Sequence, residues 1–83
     1  MKREEIVDTL KLMAAENKTP AEMLRFLVLE QEIEQQLEWM TLFSEAFDVT
    51  LGEVTALSGW WHDESAELND NDINAYIAPL IKQ

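Results

Sequence analysis

Glu30, Glu34 and Glu38 recur at intervals of four residues, and Glu45 stands farther along the same stretch. Carboxylates in such a pattern can hold a metal, exchange protons or attract cations, and their surroundings decide which. A dinuclear metal site would need Glu-x-x-His pairs from several helices. The single histidine, His62, lies far from these glutamates. Acid–base catalysis would need two carboxylates in an apolar pocket that pushes their pKa values apart, and nothing in the pattern builds one. Attraction of cations remains. The four glutamates are therefore candidate partner-binding residues.

Two further clusters bear on chemistry. Gly59-Trp60-Trp61-His62 places two tryptophans side by side. Neighbours of that size do not readily face the same way. One is expected to plug the core, while the other covers a helix or anchors a partner. Trp60 and Trp61 join the candidate partner-binding residues. Asp70, Asp72 and Asn74 match the first three ligands of a calcium loop. That loop then needs a glycine and a glutamate where this chain has Ala75 and Ile81. Helix capping explains the cluster better. There is no cysteine and no glycine-rich phosphate loop, so neither enzyme activity, a metal nor a cofactor is expected.

The carboxylates belong to a wider asymmetry. Between Phe26 and Ile81 there are twelve of them and neither lysine nor arginine. The cations are Lys2, Arg3, Lys11, Lys18 and Arg25, with Lys82 at the other end. The net charge is -11 on 83 residues. Such a field repels nucleic acid and attracts basic surfaces. Direct nucleic-acid binding and membrane association are not expected. With no signal-peptide core and no apolar run of spanning length, a cytoplasmic protein is expected.

These residues must be positioned by helices. An apolar share of 47% with only two glycines and two prolines favours one all-α domain over residues 1–83, of four to five helices. Ile6, Val7, Leu10, Met13 and Ala14 give the first helix one apolar face, from about Arg3 to Glu16. Thr19-Pro20-Ala21-Glu22 is a capping box with proline at the first helical position. No breaker follows until Asp48, so one long central helix is expected over 20–47. It would span about 42 Å, against an expected radius of gyration of about 12 Å. It must therefore kink near Trp39–Thr41 or pack against a second copy. A homodimer is expected through Phe26, Leu29, Ile33, Leu37 and Met40. On that helix the four glutamates would form a ridge. Thr50-Leu51-Gly52-Glu53 starts a short helix that Gly59 ends in the left-handed conformation. Trp60–Leu68 is irregular, and Asn69 or Asp70 caps a last helix carrying Ile73, Tyr76, Ile77 and Leu80.

Phe43-Ser44-Glu45-Ala46-Phe47-Asp48-Val49-Thr50, followed by Val54, Thr55, Leu57 and Gly59, resembles the helix-turn-helix of Cro- and repressor-type proteins. The resemblance covers residues 43–59 and implies a helix-turn-helix-like second half. It departs from the pattern at Asp48, where the turn glycine is usual, although aspartate tolerates that geometry. The segment in the place of the recognition helix, 51–57, has no Arg, Lys, Asn or Gln with which to read bases or hold phosphates.

The sequence therefore describes a small acidic regulator that binds a basic, nucleic-acid-binding protein and inhibits or modulates it. In size and charge alone it resembles small phage- or plasmid-borne modulators. The alternatives are a helix-turn-helix-like transcriptional regulator, and a structural or assembly subunit with an apolar helix interface.

Overall fold

The computed structural model describes residues 2–63 and 65–81. Glu64 and Lys82, both counted in the charge pattern, lie outside the described residues. The fold is all-α. Helix α1 is Arg3–Ala15, α2 is Pro20–Arg25, α3 is Gln36–Phe47 and α4 is Asp70–Ile81. A single π-helical turn, Phe26–Glu30, prolongs α2, and a 3-10 helix spans Thr55–Gly59. Helix α1 packs on α3, α2 packs on α4, and the 3-10 helix touches both α3 and α4.

The starts of α2 and α4 are set by side chains that the sequence names, whereas α1 and α3 begin after Lys2 and Gln35 without a side-chain cap. At Thr19 the hydroxyl accepts the Glu22 amide, and the Glu22 carboxylate accepts the Thr19 amide. Thr50 and Glu53 repeat the exchange, but what they open is a run of turns leading into the 3-10 helix. Asn69 and Asp72 do the same for α4. Such boxes satisfy amides that a helix start leaves without partners.

The helix ends are less conventional. Three non-glycine residues, Asn17, Glu32 and Asp48, take left-handed backbone angles, with φ of 64°, 57° and 53°. Each follows a helix. Beyond α1, the Asn17 amide donates to the Ala14 carbonyl and the Lys18 amide to Met13, the two bonds of a Schellman turn. Asp48 ends α3. Neither glycine takes a positive φ, so Gly59 is not the left-handed cap expected of it. A side chain there would be crowded for another reason: its Cβ would come within 3.1 Å of the Leu68 side chain, which would have to give by a few tenths of an ångström.

Glu32 marks the main correction. The helix expected over 20–47 is not continuous, and it breaks at residues 31–35 rather than near Trp39–Thr41. Three forces act together. A straight helix of about 42 Å would overrun a molecule measuring 29 × 27 × 23 Å. Glu30, Glu34 and Glu38 on one face would repel at roughly 0.2–0.5 kcal/mol per pair. And the break draws Ile33 inward: its amide donates to the Leu27 carbonyl (2.9 Å), and its carbonyl accepts the indole N–H of Trp39 (2.7 Å).

The core lies around the tryptophans. Trp39, Leu42, Phe43 and Ala46 form the buried stripe of α3, against Ile6, Val7 and Leu10 of α1 and Met23, Leu24 and Leu27 of the second helical stretch. Trp39 and Trp60 are fully buried and meet edge to face, with ring centroids 5.8 Å apart. Burying side chains of this kind contributes about 1.5–3 kcal/mol each, and both indole N–H groups find acceptors. The stripe Phe26, Leu29, Ile33, Leu37 and Met40 is thereby dispersed. Phe26 belongs to the core, Ile33 and Met40 are half-buried, and only Leu29 and Leu37 are exposed.

Candidate functional site

Breaking the helix also divides the glutamate ridge. Glu30 ends the π turn, Glu34 lies in the connection to α3, and Glu38 and Glu45 sit on α3. The last two do not face solvent as a free pair. The guanidinium of Arg3 hydrogen-bonds to both, reaching Glu45 at 3.2 Å and Glu38 more closely. The Glu45 hydrogen bond, then Glu38, raise the affinity of Arg3 for its proton, and desolvation works against them. Arg3 thus ties the start of α1 to α3 and offsets one of the two charges on Glu38 and Glu45.

A second arginine ties the other half of the fold. Arg25, at the end of α2, pairs with Asp70 at the start of α4 and donates to the His62 carbonyl at 3.2 Å. Its guanidinium carbon lies 5.3 Å from the centre of the Trp60 ring. Asp70 uses its other oxygen to accept the Trp60 indole N–H at 2.9 Å. The bond from Arg25 holds the Asp70 carboxyl below the usual aspartate range; partial burial opposes this, and the Trp60 bond adds to it. Sequence reasoning noticed Arg25 only as a cation and Asp70 only as a cap. Their separation of 45 positions gives no local signal of the pair.

The two adjacent tryptophans divide as the sequence suggests. Trp60 is the core plug, so it presents no surface to a partner. Trp61 is half-buried and lies almost flat on Trp39, with centroids 5.9 Å apart and planes 25° apart. His62 leans against Trp61 at 4.7 Å.

What stays outside is a short acidic segment. Glu30, Glu32 and Glu34 are exposed and form no ion pair with any described residue. Leu29 and Leu37, at its two ends, are 58% and 65% exposed. Ile33 pins its middle to the core through the two bonds described above. Elsewhere, a cleft of about 120 Å³ lies between the α1–α2 connection and α4, and Lys18 is the one ionisable residue on its wall. Among the described residues no three carboxylate or imidazole groups converge on a metal position, and no helix is long and apolar enough to cross a membrane. No family model, curated protein or solved structure matches this chain.

Proposed function

We propose that this chain is a small acidic regulator that binds a basic protein, such as a nucleic-acid-binding one, and inhibits or modulates it. One observation carries the reading: the partition of charge. Arg3 and Arg25 are spent on Glu38, Glu45 and Asp70, in partly exposed pairs between helices of the same molecule. Glu30, Glu32 and Glu34 are exposed and form no ion pair with any described residue. Exposed charge of one sign speeds the encounter with an oppositely charged surface and repels like-charged partners. The same field supports a protein partner over nucleic acid.

Affinity capture on the immobilised protein tests the reading, run at low and at high salt with mass spectrometry of the eluate. The expected result is a small set of basic proteins, retained at low salt and released at high salt, and lost when Glu30, Glu32 and Glu34 are changed to glutamine. Recovery of acidic proteins that resist salt would overturn the electrostatic reading.

A further inference from the structure

We infer that the strip from Leu29 to Leu37 is a docking surface for a cationic, amphipathic segment of a protein partner. The inference rests on the reading above that the chain binds a basic protein, and it names where and by what chemistry.

Three features combine on this strip. Leu29 and Leu37 are the two most open members of the stripe that the fold otherwise buries. Single exposed leucines are ordinary on protein surfaces. These two bracket Glu30, Glu32 and Glu34, which are exposed as well. The strip is also held in place, because the Ile33 backbone is bonded on both sides, to Leu27 and to Trp39. A partner therefore meets a surface whose central residue is already fixed, and less ordering cost opposes binding.

Charge complementarity selects the occupant. A second copy packed strip to strip would set Glu30, Glu32 and Glu34 against the same three carboxylates, which disfavours that self-association. Nucleic acid is repelled outright. A segment with leucine-like side chains flanked by lysine or arginine satisfies both parts of the strip: its apolar groups cover Leu29 and Leu37, and its cations meet the glutamates.

The test uses the full chain and a fluorophore-labelled amphipathic helical peptide of leucine and lysine. A peptide of the same composition, scrambled so that the two residue types do not segregate, is the control. Anisotropy gives the affinity, and amide shifts in the isotope-labelled protein give the footprint. The expected footprint centres on 29–37, and the scrambled peptide binds more weakly. Leu29→Ser with Leu37→Ser should weaken binding about tenfold, as expected for losing apolar contact of this size. Glu30→Gln with Glu32→Gln and Glu34→Gln should weaken it about tenfold at low salt and little at high salt. Glu53→Gln with Glu67→Gln, outside the 29–37 segment, should change it by less than about threefold. All these positions are exposed, and matching thermal melts verify the fold.

If the leucine variant binds as tightly as the parent while the glutamine variant is weakened, the docking strip is wrong and the charge reading stands. If the intact chain does not bind the amphipathic peptide even at low salt, both are wrong. A dimer of the parent chain in sedimentation that the leucine variant abolishes would reassign the strip to self-contact and overturn the inference.

Discussion

Changing Arg25 to methionine keeps much of the apolar stem and removes the guanidinium, and it should cost this fold more than any other loss of a surface charge. The magnitude follows from the contacts. Both partners in the Arg25–Asp70 pair are about one third exposed, at 32% and 34%. A hydrogen bond to a charged group contributes about 1.5–3 kcal/mol when shielded, whereas an open ion pair contributes about 0.2–1 kcal/mol. A pair at this depth falls between, at about 1 kcal/mol. The bond to the His62 carbonyl adds about 1 kcal/mol, and the approach to the Trp60 face about 0.5–1 kcal/mol. Arg25→Met should therefore cost about 2–3 kcal/mol, against a total of about 4–12 kcal/mol for a chain of this length. Arg25→Lys should recover part of that, because it restores charge without the planar fork. Urea unfolding followed by tryptophan fluorescence measures each value. A double-mutant cycle with Asp70→Asn isolates the charge, since asparagine can still accept the Trp60 indole N–H. The expected coupling is about 1 kcal/mol at neutral pH. The sign with pH is fixed by Asp70, whose carboxyl is held below its usual range chiefly by Arg25. A depressed folded-state pKa gives stability that is fully present above the unfolded value, about 3.9. That stability disappears as pH falls through the lower folded value. The coupling should therefore persist at pH 5 and fade in more acid solution. A coupling indistinguishable from zero at neutral pH would refute the role assigned to this pair.

Other perturbations test other parts of the fold. Glu32→Gly should raise stability by about 0.5–1 kcal/mol, because glycine relieves the left-handed strain at φ 57°; a loss in the same urea experiment would mean that the Glu32 side chain supports the turn. Trp39→Ala should cost about 3–5 kcal/mol and leave little folded protein, while Trp61→Ala, at the half-buried outer layer, should leave a folded chain by circular dichroism. Added salt should raise the melting temperature, since screening relieves self-repulsion at a net charge of -11; a falling melting temperature would show that the Arg3 and Arg25 pairs outweigh that repulsion.

For α2 and α4 the sequence shows where a helix starts more plainly than where it stops, while the start of α3 at Gln36 carries no capping signal. Starts are written locally: Thr19 with Glu22, Thr50 with Glu53 and Asn69 with Asp72 each complete their boxes within four residues. The amphipathic faces of α1 and α4 are equally local, and they place Ile6, Leu10, Ile73 and Ile77 in the core. Stops are harder, because this chain ends helices at Asn17, Glu32 and Asp48 instead of at glycine. Nothing about Glu32 by itself announces a left-handed turn. The available signal was composition: between Glu30 and Gln36 only Ile33 is apolar, too little to bury a helical face. Reading that run as helix put Phe26 to Met40 on one continuous helical stripe and Glu30 to Glu45 on one continuous helical ridge, and the break at 31–35 leaves neither as a single helix face. The arginine ties were illegible for a different reason. Arg3 reaches residues 35 and 42 positions away, and Arg25 reaches 45, and such pairings follow from helix packing that only the whole fold determines.

The two arginines also separate what the carboxylates do. Glu38, Glu45 and Asp70 are each held by a guanidinium that joins two helices, so neutralising them removes ties between α1 and α3 or between α2 and α4. Glu30, Glu32 and Glu34 pair with no cation among the described residues, and as like charges close together they repel one another slightly. Neutralising them should leave the fold as stable as before or more so. Exposed carboxylates without an ion pair to a described residue also occur on α1, at Glu4, Glu5 and Asp8; what sets Glu30, Glu32 and Glu34 apart is that they stand in the chain between two open leucines, Leu29 and Leu37. On the proposal above, a cationic, amphipathic partner segment would relieve the repulsion among these carboxylates and cover the leucines in the same step.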